Sequence, residues 1–214
     1  MSFLIDFILH IDTHLVSIVN TFGNWTYLIL FALIFIETGA VILPFLPGDS
    51  LLFAAAALSA NSIYGLNIWI FVFSLFFAAV LGDSTNFFIG RWLGNKLTQH
   101  HLFGKIITEQ RLKESREFLD RYGSVSITFA RYMPIIRTFA PFVAGGSKFS
   151  YRKFIVFDIL GASTWVTLCC GAGYFFGNFP FVKAHFSAIV IGIILISLIP
   201  ILISFLKTRK KAQK

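Results

Sequence analysis

Four charged side chains stand in apolar surroundings, and their types and spacing are the first lead to function. Glu37 follows the apolar run 25–36, and Asp49 follows Pro44-Phe-Leu-Pro47-Gly48. Arg131 and Arg137 bracket Pro134. On a lenient insertion scale each charge costs about 2.5–3.5 kcal/mol at mid-bilayer, or roughly 10–14 kcal/mol for four left unpaired. A whole domain is stable by only about 5–15 kcal/mol. The four must therefore be paired, hydrated, or both.

Acids and bases suit different tasks. Six residues separate Arg131 from Arg137, about 240° on an unbroken helix, so a break at Pro134 is what lets both face one point. Converging guanidinium groups hold phosphate or carboxylate in bidentate fashion. Half-helix N-termini after the breaks add backbone donors and a positive dipole end. A carboxyl group in a low-dielectric setting gains proton affinity and can load and release a proton near neutral pH, the role expected of Glu37 and Asp49. Asp83 and Arg91 are secondary candidates, expected nearer the cytoplasmic interface. A plainer reading has the acids pair with Arg131 and Arg137 only to lock two segments together. Apolar packing would do that at lower cost, and the two readings are compatible.

The elements that position these residues follow from charge and hydropathy. The chain has 214 residues, 57% hydrophobic and only 13% charged, whereas a soluble domain carries about 25% charged residues. It lacks the polar surface to face water on all sides. Apolar stretches recur at 25–36, 66–81, 154–177 and 186–206, and the last two exceed the roughly 20 residues that cross a bilayer. All 18 Lys and Arg lie at or after Arg91, clustered beside apolar spans. That pattern marks the cytoplasmic side of a membrane protein and argues against nucleic-acid binding, despite the net charge of +8.

The path is clearest from the C-terminus. A basic tail at 207–214 is expected to be cytoplasmic, so the final transmembrane helix, 185–206, runs outside to inside and the span 152–177 runs the other way. Residues 106–122 carry Glu109/Lys113, Lys113/Glu117, Arg116/Asp120 and Glu117/Arg121 at helical i,i+4 spacing. Leu112, Leu119 and Tyr122 form a narrow apolar stripe, so an amphipathic cytoplasmic helix is expected. Residues 124–146 are apolar but broken by Pro134 and Pro141, with basic segments on both sides. They read as a re-entrant hairpin opening to the inside. Residues 25–60, broken at Pro44, Pro47 and Gly48, read as a second one opening to the outside, followed by a span at 66–90. A broken backbone at that depth is tolerable only inside protein or beside a wet cavity.

A weak repeat at an offset of 88 supports this layout. Asp49 falls on Arg137, and Phe53-Ala-Ala-Ala-Ala-Leu-Ser59 falls on Pro141-Phe-Val-Ala-Gly-Gly-Ser147. The expected fold is thus an all-α integral membrane protein, an inverted repeat of two opposed re-entrant helical hairpins with transmembrane helices. Residues 1–24 form an N-terminal interfacial helix or a short first span, and 25–177 the membrane core.

Other residues carry less. The five histidines are scattered near interfaces, with no metal-ligand spacing. Cys169 and Cys170 are adjacent in an apolar span and read as small hydrophobes. Gly90-x-x-x-Gly94 and Gly173-x-x-x-Gly177 read as close helix contacts. Trp25, Trp69, Trp92 and Trp165 read as interface or packing residues. No hydrolase elbow, Walker loop or metalloprotease motif is present, so no catalytic residue, metal or cofactor is assigned and nothing supports an enzyme.

Three motifs together resemble the DedA family, the bacterial branch of proteins with a VTT domain. They are Glu37 with Pro44-Phe-Leu-Pro47-Gly48-Asp49, Gly82-Asp-x-x-x-Phe-x-x-Gly90-Arg91-x-x-Gly94, and Phe129-Ala-Arg131-Tyr-Met-Pro134-Ile-Ile-Arg137-Thr-x-x-Pro141 with Gly145-Gly146. Asn86 is a departure, since many members carry Tyr there. The resemblance implies opposed re-entrant hairpins and lipid translocation in the bacterial cytoplasmic membrane, with undecaprenyl phosphate as the lipid. It also implies functional need for the acids matching Glu37 and Asp49 and the arginines matching Arg131 and Arg137. The expected function is a proton-motive-force-dependent flippase for an anionic lipid, with membrane lipid and protons as partners and homo-oligomerisation left open. Three alternatives stand beside it: a passive phospholipid scramblase, a small-ion/proton antiporter, and a membrane scaffold.

Overall fold

The computed structural model describes residues 11–40, 48–93, 109–147 and 149–177, with isolated positions at 179–180, 182 and 192. The proline breaks Pro44 and Pro47, residues 1–10, the final span 185–206 apart from residue 192, and the tail 207–214 lie outside the described residues. The described residues form helices joined by turns and short irregular connections, with no strand among them. In order they are α1 (Ile11–Phe22), α2 (Trp25–Gly39), α3 (Gly48–Ser59), a 3-10 turn (Ser62–Tyr64), α4 (Ile68–Leu93), α5 (Glu109–Tyr122), α6 (Val125–Ala130), α7 (Pro134–Gly146) and α8 (Tyr151–Phe176).

Helices α4 and α8 are long and apolar enough to cross a membrane. Each has 26 residues, about 39 Å at 1.5 Å per residue, against a hydrocarbon core of about 30 Å. Large apolar side chains point outward along them: Trp69, Phe73, Phe77 and Leu81 on α4, and Val156, Leu160, Leu168 and Phe175 on α8. An outward apolar belt is a liability in water and the requirement in lipid. Polar residues face inward instead. Ser84, Asn86 and Asp83 on α4 and Asp158 on α8 are all buried.

Packing follows a crossed pattern. Helix α2 lies on α4 and α6 lies on α8, while α3 packs on α8 and α7 packs on α4. Glycines permit the close approaches. A Cβ at Gly90 would strike the Phe142 backbone, and one at Gly145 would strike the Phe87 backbone. On the other crossing, a Cβ at Gly173 would meet the Phe53 backbone and one at Gly177 would meet Ala57. The close-contact reading thus holds at Gly90, Gly173 and Gly177, whereas Gly94 lies outside the described residues.

Helix ends follow local chemistry. Gly123 adopts φ 61° and donates its N–H to the Leu119 carbonyl at 2.8 Å, the left-handed cap that stops α5. Met133 precedes a proline and takes φ −116°, ψ 102°, as the Pro134 ring requires. Pro134 then opens α7, where its missing N–H costs nothing. Pro141 differs from expectation: α7 runs through it without ending. It loses one N–H that would reach the Arg137 carbonyl, and the packed neighbours on either side carry the helix past that defect.

Helix α5, described from Glu109, packs on α7, and residues 106–108 lie outside the described residues. Leu119 is buried as expected, but Tyr122 is half exposed and its ring lies 4.9 Å from that of Phe118. Of the expected i,i+4 pairs, Lys113–Glu117 is formed at 3.9 Å. Near the N-terminus, α1 packs Leu15 and Val19 into the core beside α2 and α3.

Candidate functional site

The inward-facing charges gather where both broken segments meet α4 and α8. Asp49 lies in the first turn of α3, favourable for an acid because the exposed backbone N–H groups there are electropositive. Glu37 ends α2, buried, with its carboxylate against Gly48; a Cβ at position 48 would collide with it. Arg137 sits one turn into α7 and reaches both acids. Its Nη1 donates to Asp49 Oδ1 at 3.2 Å, and its Nη2 lies 3.6 Å from Glu37 Oε1.

Arg131 caps α6 just before the break and is 4% exposed. Its Nη2 forms ion pairs with Asp83 of α4 and with Asp158 of α8, the latter at 2.7 Å. The two guanidinium groups therefore have separate carboxylate sets. One residue joins them. Trp165 of α8 presents its ring to Arg137 at 4.4 Å and to Arg131 at 5.6 Å, while its Nε1 donates to Asp49 Oδ1 at 2.7 Å. A cation over an indole face is attracted by the ring quadrupole, by about 0.5–2 kcal/mol. A narrow, water-sized cleft between the triads is lined by Asp83, Arg131, Arg137, Pro141 and Asp158.

Asn86, fully buried on α4, ties the site to its supports. Its Nδ2 donates to the Thr38 carbonyl of α2 at 3.2 Å and to the Thr138 carbonyl of α7 at 2.9 Å. A single amide thus holds the ends of both broken segments against one span. Thr128 of α6 donates to the Phe157 carbonyl of α8 at 2.7 Å, fixing the approach of Arg131.

Residues 46–175 match the VTT domain family. The Escherichia coli (strain K12) protein DedA is 44% identical over 212 residues, covering 99% of this chain and 96% of the relative. The chain belongs to the DedA family. An uncharacterized membrane protein of Mycobacterium tuberculosis is 39% identical over 86% of this chain and 81% of its own length. The inner membrane protein YghB of Salmonella typhimurium is 34% identical over 84% and 78%. No solved structure matches. The chain is a membrane protein like these DedA relatives.

Sequence reasoning named Glu37, Asp49, Arg131 and Arg137, and the structure brings all four into one cluster. The structure adds three details. The arginines do not converge on one shared point; each holds its own pair of acids, with Trp165 between. Asp83 is buried and paired with Arg131, eight residues, about 12 Å, before Arg91 along α4. Arg91 itself is exposed, donating to the Phe149 carbonyl at 3.0 Å and lying over the Phe87 ring at 5.0 Å, away from the cluster.

Asp158 and Trp165 were missed. The signal for Asp158 was present: it is the single acid in a 26-residue helix apolar enough to cross a membrane, a functional-site hypothesis by default. For Trp165 the only available signal was position, two helical turns after Asp158 on the same face.

Proposed function

We propose that this DedA-family protein is a proton-motive-force-dependent transporter of an anionic lipid, with undecaprenyl phosphate as its substrate, acting in the bacterial cytoplasmic membrane. One observation carries the reading: Arg137, the cation best placed for a phosphate, is held by two carboxylates at the tips of a broken segment. Protons arriving on Glu37 and Asp49 weaken their hold on Arg137. The freed guanidinium takes the lipid phosphate, with Arg131 flanking across the cleft and the isoprenoid tail left in the bilayer. Loss of the protons on the other side returns the acids to Arg137 and expels the phosphate.

The crossed packing supports an inverted repeat behind this exchange. Asp49 and Arg137 are 88 residues apart, the offset of the internal repeat, and they bond to each other. Residues related by a twofold axis can touch only where they lie beside it, so on this reading the pair would flank the pseudo-axis. Under this reading α2–α3 and α6–α7 are the two re-entrant hairpins, opening to opposite sides, and the site lies midway.

The test uses purified protein in vesicles, following inward movement of labelled undecaprenyl phosphate with and without a pH gradient. Gradient-dependent movement, lost on Arg137→Ala with the protein still inserted, is expected. Movement equal with and without the gradient would favour a passive scramblase and defeat proton coupling.

A second reading, a small-ion/proton antiporter, is favoured by the charge balance. Four carboxylates face two guanidinium groups, and the excess negative charge suits a cation. It predicts ion flux in vesicles that contain no carrier lipid.

A further inference from the structure

The charge excess has a local address. Arg131 binds one oxygen of Asp158, while Asp158 Oδ2 and Arg131 Nη1 are both buried without a hydrogen-bond partner. Asp83 and Asp158 both pair with the same nitrogen, Arg131 Nη2, so their carboxyl groups lie side by side. Two ionised carboxylates can only accept hydrogen bonds, so neither can satisfy the other at that range. Held together with side-chain exposures of 5% and 3%, they also repel at low dielectric. One proton removes both difficulties, turning an acceptor into a donor and cancelling the surplus charge of the triad.

We propose that Asp83 and Asp158 form a second proton-binding site, sharing one proton between their carboxyl groups while Arg131 neutralises the remaining charge. The proton sits on Asp158 Oδ2 and is donated to the Asp83 carboxylate. The triad is then neutral: one guanidinium, one carboxylate, one carboxylic acid. The Arg137 triad needs one proton to reach the same balance, so the whole cluster is neutral with two. Every charged group facing the pair is counted in that sum: Arg131 after α6, Arg137 on α7, Glu37 on α2 and Asp49 on α3. A water-sized cleft touches Asp83, Asp158 and both arginines, so a water beside the pair could take up or deliver the proton. Losing it would set the two acids against each other across α4 and α8, which biases the spans apart.

The proposal rests on the reading of the cluster as a proton-loaded site and not on the lipid carried. Its test therefore reads protons. Full-length protein in detergent would be taken through a pH jump with an indicator dye, counting protons released per chain. Infrared difference spectra in the carboxylic C=O region would be recorded alongside. Asp158→Asn keeps the shape and supplies an amide donor to Asp83, so it is expected to release one proton fewer and to lose one carboxylic band. Asp83→Asn, from the other helix, is expected to lose the same band. That band should persist in the Glu37→Gln, Asp49→Asn double variant, which removes a different one. Wild-type proton release in either the Asp158→Asn or the Asp83→Asn protein would overturn the proposal. So would a band lost only in the Glu37/Asp49 variant. Failure of lipid transport with the proton count intact would instead sink the substrate assignment alone.

Discussion

The two arginine triads use the same chemistry in different degrees of enclosure. Around Arg131 the arginine and both acids are sealed, with side-chain exposures of 2–5%. Around Arg137 the arginine is 13% exposed and Asp49 29%. A sealed triad cannot exchange partners without the helices moving, whereas a partly open one can meet a ligand. Under the proposed mechanism, that difference suits Arg131 to holding the spans while flanking the ligand, and Arg137 to the exchange of partners itself.

The largest expected effect follows from enclosure. Arg131→Leu leaves two acids buried without a cation, and breaking such a group costs about 3–5 kcal/mol. A large fall in thermal stability of the purified protein is expected, with much of it retained inside aggregates. Replacing the whole triad, Arg131→Met with Asp83→Leu and Asp158→Leu, should recover most of that stability, because apolar packing replaces a buried ion group at little or no cost. Transport should stay absent. If the triple variant were as unstable as Arg131→Leu, the loss would come from packing around α6 and not from charge.

Arg137→Leu is next. Its acids are less enclosed, with Asp49 29% exposed, so the stability loss should be clearly smaller than for Arg131→Leu, while transport falls to the background of empty vesicles. Equal losses of stability in both single variants would erase the distinction between the triads.

Which parts of this site were legible in the sequence depends on what kind of signal each residue left. Glu37, Asp49, Arg131 and Arg137 flank prolines and glycines, so charge and break coincide and the eye is drawn to both. Asp158 sits in a smooth helix with no break to flag it, and a single acid is easily passed over when the span is already assigned by its hydropathy. Pairing was beyond reach in principle. Six residues around a proline can place two guanidinium groups together or apart, and only the angle between α6 and α7, set by Thr128 on Phe157 and Asn86 on Thr138, decides it. The helices themselves were readable because lipid demands continuous apolar runs. Pro141 was misread as a break because a proline's local cost says nothing about the packing that holds a helix together across it.

The smallest effect tests the link between the triads. Trp165 makes two separable contributions: its ring faces both guanidinium groups, and its N–H holds Asp49. Trp165→Phe keeps an aromatic face and removes the N–H. A hydrogen bond to a charged group contributes about 1.5–3 kcal/mol, less where water can replace the lost donor. Asp49 is 29% exposed on its side chain, so water can stand in, and the cost should be nearer 1 kcal/mol, about fivefold in transport rate. Trp165→Leu removes the face as well and should cost a further several-fold, with Arg137 affected more than Arg131 because it lies closer to the ring. A Phe variant as defective as the Leu variant would place the whole effect on the hydrogen bond to Asp49. The indole would then anchor one acid in the open triad, and the two triads would respond to protons independently of each other.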